Sequence, residues 1–153
     1  MSITERRIDR LVNPDTNESL PPFLTSHAGI ASGFMMVQVT AVALLNEAKV
    51  LAHPASVDNV PTDGGKEDHV SMGMTAATKL RSIVELAEMT TAIELLTAAQ
   101  ALDYRAPLAP GRGVKEAHAI VRGLAKPLTE DRSMAGDIEK LVAAIADGAF
   151  DSL

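Results

Sequence analysis

Apolar residues recur at helical spacing along most of the chain, and loops rich in proline and glycine separate these stretches. The pattern predicts helices over residues 4–11, 28–52, 66–102, 114–124 and 133–147. No segment alternates between apolar and polar residues as a strand would, and there is no internal repeat. The sequence therefore predicts an all-α fold, in which residues 1–153 form one helical segment.

Capping residues and helix breakers predict where several of these helices begin and end. Thr4 is placed to cap the first helix, and either Asp131 or Ser133 is placed to cap the last one. Gly148 is expected to end that last helix, because glycine readily adopts the left-handed conformation found there. The second helix should end near residue 52, because Pro54 cannot continue it.

The second helix carries no charged residue from 28 to 45, which is long enough to raise the question of a membrane span. Ser32, Gln38 and Thr40 dilute its hydrophobicity, and Glu47 follows on the same helix. An uncharged helix rich in small residues is explained more simply by burial on all sides. We therefore expect it to lie in a bundle or a subunit interface.

The third predicted helix is unusually long, since residues 66–102 contain no proline and only one glycine, Gly73. A helix of more than 30 residues is well beyond the average length. Either the helix is kinked near Gly73, or the chain is part of a larger helical assembly.

Composition and charge exclude several classes of function. The chain has no cysteine, which excludes disulfides, Fe–S clusters and Cys-ligated zinc. Its net charge is −6 and no basic stripe is present, so the sequence does not favour nucleic-acid binding. No apolar stretch follows the first charged residues, so no signal peptide is predicted and a cytoplasmic location is expected.

The cluster Glu67-Asp68-His69 is the only group of side chains that suggests metal chemistry. Adjacent residues on a helix point in different directions, so we do not expect these three to bind a metal together. Acidic residues in a first helical turn would instead complement the helix dipole. His27, His53 and His118 are scattered and are expected to have capping, surface or core roles. These patterns predict a helical domain that packs against other chains, but no reaction.

Three segments resemble the aromatic amino acid ammonia-lyase family, and within it most closely the histidine enzymes. They are GFMMVQVTA at 33–41, LAHPASVD at 51–58 and EDHVSMG at 67–73. Shorter matches at 5–8, 20–24 and 127–132 occur in the same order. The resemblance is to the C-terminal part of a much longer enzyme. It implies that about 1–104 belong to the central bundle and about 105–153 to a C-terminal helical part.

In this family a methylidene-imidazolone electrophile forms from an internal Ala-Ser-Gly triplet in the N-terminal part, and a tyrosine from another N-terminal loop is the base. Tetramers combine residues of three chains in each active site. The resemblance therefore implies an ammonia-lyase that needs an N-terminal partner chain, which carries the electrophile, and that also self-associates. It implies an amino acid substrate and no metal, nucleic acid or membrane.

The chain contains its own triplet, Ala31-Ser32-Gly33, which matches the electrophile precursor in composition alone. The family's precursor is followed by Asp-Leu-Ala-Pro, whereas this triplet is followed by Phe34-Met35. We therefore expect no electrophile here, and we interpret the triplet as the small-residue start of a buried helix.

Three residues are candidate site residues by resemblance. Glu67 matches an active-site glutamate, a position where relatives specific for phenylalanine or tyrosine usually carry glutamine. Met35 matches a methionine that lines the pocket for the substrate side chain. Lys66 stands where the family usually has glutamine, and we include it as a substrate-binding candidate whose charge would lower the pKa of Glu67. Histidine is the favoured substrate. A tyrosine ammonia-lyase or aminomutase, and an inactive helical module, remain alternatives.

Overall fold

The computed structural model describes residues 1–153 and contains five α-helices and no β-strand. The helices are α1 (Ser2–Val12), α2 (Met35–Leu51), α3 (Gly73–Asp103), α4 (Arg112–Leu124) and α5 (Ala135–Ala146). Single turns of 3-10 helix lie at Pro22–Leu24, Ala55–Val57 and Asp63–Gly65. The predicted all-α class is confirmed.

The core forms around the second half of α3, against which α1, α2, α4 and α5 pack. All buried residues of α3 lie between Thr90 and Ala101. The largest enclosed apolar side chains of the core are Ile8, Leu24, Phe34, Ile93, Leu96 and Leu141. The first half of α3 extends beyond this core.

Neither of the predicted side-chain caps forms. Helix α1 begins at Ser2, so Thr4 lies inside it, and no side chain caps this helix. Helix α5 begins at Ala135 and also lacks a side-chain cap. The carboxylate of Asp131 binds backbone amides of a different segment. A cap assigned from sequence competes with tertiary partners, and for Asp131 the tertiary partners win.

The predicted end of α5 at Gly148 is confirmed. Gly148 has a φ of +73°, in the left-handed region. Its N–H donates to the carbonyl of Ile145 at 3.0 Å, and the N–H of Ala149 donates to the carbonyl of Ala144 at 3.0 Å. This pair of bonds is the Schellman arrangement, which satisfies the last carbonyls of a helix.

Helix α2 ends after Leu51 as predicted, but it begins at Met35 rather than at residue 28. It is also not buried on all sides within this chain, because Met36 is 61% exposed and Val39 is 49% exposed. Met35–Val57 is apolar and long enough to cross a membrane by length and composition. A core helix of a soluble protein passes the same test.

Helix α3 begins at Gly73, so this glycine marks a start and not a kink. Residues 66–72 precede the helix and are not helical. Glu67 and Asp68 therefore do not lie in the first turn of α3, and the interpretation of these carboxylates as complements of its helix dipole was wrong.

Candidate functional site

Glu67 lies in a tight loop that it closes together with Thr62. The N–H of Thr62 donates to the carbonyl of Glu67 at 2.8 Å, and the N–H of Glu67 donates to the carbonyl of Thr62 at 3.3 Å. The hydroxyl of Thr62 donates to Oε2 of the Glu67 carboxylate at 2.6 Å. Gly64 and Gly65 have φ values of +62° and +84°, which is the conformation that the turn requires. The loop thus holds one carboxylate oxygen and leaves the other one free.

A second clamp fixes the chain just beyond this loop. The side chain of Asn59 accepts a hydrogen bond from the N–H of Val70 at 2.8 Å and donates one to the carbonyl of Val70. The ammonium of Lys79 donates to the carbonyl of His53. These hydrogen bonds connect residues 53–70 to each other and to α3, although no side chain in this stretch is buried.

The loop of Glu67 belongs to a long stretch that we call the uncovered segment (residues 52–89). None of its residues is buried, although it makes up about a quarter of the chain. Met74 is 82% exposed, Leu80 is 60% exposed and Val84 is 47% exposed. Large apolar side chains exposed in this way are typical of interaction surfaces.

Lys66 is exposed next to Glu67, and its N–H donates to the carbonyl of Asp63 at 3.2 Å. Its ammonium makes no ion pair with any carboxylate of the chain. The ammonium of Lys66 is therefore not paired with the Glu67 carboxylate in this structure.

Met35 is the first residue of α2 and is 38% exposed. No hydrogen bond or ion pair connects it to Glu67, and none of the five main cavities is lined by Met35, Lys66 or Glu67. The three candidate residues therefore lie on open surface.

The Ala31-Ser32-Gly33 triplet lies in the turn before α2, not in the helix itself. The N–H groups of Ser32 and Gly33 donate to the two carboxylate oxygens of Asp131 at 2.7 and 2.9 Å. These two bonds, that from Ser32 first, hold the pKa of Asp131 below its usual value. Sequence reasoning missed this contact, because nothing local connects residues almost a hundred positions apart.

His118 is explained by its neighbours. Its Nε2 lies 2.8 Å from Oδ1 of Asp103, the last residue of α3, and Arg122 lies 2.7 Å from the other oxygen of that carboxylate. The cluster joins α4 to the end of α3, as expected for a histidine with a structural role.

Comparison with known proteins identifies the family. A sequence profile described as aromatic amino acid lyase matches residues 1–123. Histidine ammonia-lyase from Anaeromyxobacter sp. (strain K) is 53% identical over 150 residues, which are 98% of this chain and 29% of the relative.

Two solved structures share the fold. Histidine ammonia-lyase from Trypanosoma cruzi superposes with a TM-score of 0.93 at 42% identity, covering 99% of this chain and 30% of that one. Tyrosine aminomutase from Streptomyces globisporus superposes with a TM-score of 0.91 at 36% identity, covering 99% and 29%. The chain thus spans about 30% of the length of the relatives it matches. On this evidence the chain belongs to the aromatic amino acid lyase family and matches the C-terminal region of its longer members.

Proposed function

We propose that this chain is the C-terminal part of a methylidene-imidazolone-dependent ammonia-lyase that converts histidine to urocanate and ammonia. The observation that carries the proposal is the Glu67 loop, which holds a carboxylate on open surface within a sequence similar to histidine ammonia-lyases. We propose further that it acts in the cytoplasm in an oligomer, together with an N-terminal chain that supplies the electrophile.

The exposure of the candidate residues supports the need for a partner. Sites for small molecules are concave and enclose most of the ligand, but Glu67, Lys66 and Met35 lie outside the main cavities of this chain. The uncovered segment and the exposed face of α2 offer the surface on which the rest of the enzyme would pack. The chain alone is therefore expected to be inactive.

The geometry of the triplet supports an electrophile on the partner. An imidazolone ring built from a tripeptide takes its nitrogens from backbone amides. In this chain the amides of Ser32 and Gly33 both donate to Asp131. These hydrogen bonds give both amides a structural use, which supports the structural role that we propose for the triplet.

The chemistry available to Glu67 follows from its loop. A carboxylate with one oxygen fixed by Thr62 has its second oxygen available to a substrate. It can accept a hydrogen bond from an imidazole or an ammonium group, or it can move a proton. A charged acceptor favours histidine, whose imidazole presents an N–H group, over an unsubstituted phenyl ring.

Tyrosine is the second candidate substrate, either for an ammonia-lyase or for an aminomutase. The fold matches a tyrosine aminomutase almost as well as a histidine ammonia-lyase, and Lys66 departs from the residue usual in the family. An inactive helical module is the remaining alternative, and only an activity measurement separates it from the other two.

Co-expression tests the proposal. The chain is expressed with the N-terminal part of the Anaeromyxobacter enzyme as a separate polypeptide, and urocanate formation from histidine is compared with product formation from tyrosine. We expect urocanate only when both chains are present. Activity of this chain alone would contradict the partner requirement. A stable complex without activity on either substrate would favour the inactive module.

The matched variants Glu67→Gln and Asp68→Asn make the assay specific for the site. Both remove one exposed negative charge from the same loop region. If Glu67 moves a proton or balances charge in the transition state, its variant should lower kcat by about 10²-fold, whereas Asp68→Asn should leave kcat unchanged. Equal effects of the two substitutions would remove Glu67 from the site.

A further inference from the structure

The carboxylate of Asp131, from a distant part of the chain, binds the turn that leads into α2. Its oxygens accept the N–H groups of Ser32 and Gly33, and α2 has no side-chain cap and no acidic residue of its own in its first turn. A negative charge near a helix N-terminus is stabilising. Asp131 thus places a negative charge near the N-terminus of α2 by binding the turn before it, although it accepts none of the helix's own N–H groups.

The loop that presents Asp131 is fixed on both sides. Upstream, the buried side chain of Gln100 binds both the N–H and the carbonyl of Leu128, each at 3.0 Å. Downstream, the guanidinium of Arg132 lies 2.6 Å from the carboxylate of Asp137 and donates to the carbonyl of Lys126 at 3.1 Å. An anchored loop can hold a carboxylate in one place.

The turn that receives Asp131 is equally confined. The N–H of Phe34 donates to the carbonyl of Phe23 at 2.9 Å, and the ring of Phe34 is buried in the core. Gly33 has a φ of +54°, and a Cβ atom there would lie 2.4 Å from the same carbonyl. The turn is held between Phe23 on one side and Asp131 on the other, and Met35 follows directly.

We propose that Asp131 is a positioning residue that fixes the orientation of Met35 at the start of α2. Its link to catalysis rests on the function proposed above and on the family resemblance, by which Met35 matches a methionine of the substrate pocket. The structural part does not depend on that function, since it concerns only the contact between Asp131 and the turn.

The sign of the pH dependence follows from the hydrogen bonds. Because these bonds lower the pKa of Asp131 in the folded chain, the contact is complete at and above the ordinary pKa of an aspartate. It is lost as the pH falls through the lower pKa of the folded state. At neutral pH the contact is therefore fully formed.

NMR of the full chain tests the contact directly. With Ser32 and Gly33 labelled at the amide and Met35 labelled at its methyl group, we expect all three signals to titrate together, with a midpoint below the ordinary pKa of an aspartate. Asp131→Asn should shift the same three signals at neutral pH, where the fold is not stressed by acid. Glu130→Gln, a neighbouring charge with no hydrogen bond, is the control and should leave them in place. Unchanged signals in Asp131→Asn would overturn the proposal.

A double-mutant cycle in the co-expressed enzyme tests the catalytic consequence. Asp131→Asn should raise KM for histidine about tenfold with little change in kcat, and this effect should disappear in a Met35→Ala background. A rise in KM that persists without Met35 would refute positioning through that residue. If the complex is inactive while the NMR signals respond as expected, the proposed function fails and the positioning role stands.

Discussion

Replacement of Gln100 by leucine gives the sharpest test of how this fold is held together. Gln100 is only 2% exposed, and its amide binds the N–H and the carbonyl of Leu128, which is itself buried. Longer bonds reach the carbonyl of Leu24 at 3.4 Å and the guanidinium of Arg122 at 3.3 Å. One side chain thus connects α3 to two loops and to α4.

The expected cost follows from the groups left without a partner. Leucine fills nearly the same volume, so the cavity contribution is small. The N–H and the carbonyl of Leu128 lose their hydrogen bonds, and a buried polar group without a partner costs about 1–3 kcal/mol. Counting only these two groups at about 1.5 kcal/mol each, we expect the free energy of unfolding to fall by about 3 kcal/mol.

Urea unfolding of the full chain measures this loss as a shift in midpoint at constant slope. The matched control is Gln38→Leu, which removes one bond of 3.1 Å to Glu5, a residue that keeps both of its bonds from Arg6. We expect the control to cost about 1 kcal/mol or less. Equal losses in the two variants would refute the reasoning from unsatisfied groups at Leu128.

Four further substitutions probe the turn, the triplet, the assembly and the substrate. Gly33→Ala should destabilise the chain more than Gly29→Ala, because only the Gly33 Cβ would press on a carbonyl, and thermal unfolding compares them. Ser32→Ala should leave the activity of the co-expressed enzyme nearly unchanged, because Ser32 contacts Asp131 through its backbone N–H alone. Complete loss of activity would instead indicate that the triplet is an electrophile precursor. If α2 forms an interface, Val39→Asp should impair self-association in analytical ultracentrifugation, whereas the control Glu47→Asp should not. A compact wild-type monomer at micromolar concentration would contradict the interface itself. In Glu67→Gln, turnover of histidine should fall more than turnover of tyrosine, and equal losses would defeat the preference for histidine.

Helix ends set by local breakers were predictable, whereas those set by distant contacts were not. Pro54 and Gly148 act within their own turns, and α2 and α5 end where these residues predict. The turn before α2 is bound by Asp131, and no local pattern records that contact. The start of α3 at Gly73 follows a stretch fixed by the side chain of Asn59, in a region where the sequence alone reads as continuous helix.

The candidate site, too, could be predicted only in part from the sequence. Periodicity and charge singled out neither Met35 nor Lys66, and they suggested only a helix-dipole role for Glu67, which the structure contradicts. All three came from resemblance to the family, and their roles remain predictions. Thr62, which orients the Glu67 carboxylate, was missed, although a threonine followed by two glycines and a glutamate is a recognisable loop signal.

The contrast between the two halves of α3 has a consequence for the assembly proposed above. From Thr90 onward the helix is anchored in the core, but its first half lies in the uncovered segment, and helices draw most of their stability from a packed face. We expect amide hydrogens before residue 89 to exchange with solvent much faster than those after it. If the rest of the enzyme packs on this segment as proposed, association would order the first half of α3, whereas the Glu67 loop is already held by its own hydrogen bonds. Part of the association energy would then be spent on that ordering, and the proposed assembly would complete the surroundings of Glu67 in the same step.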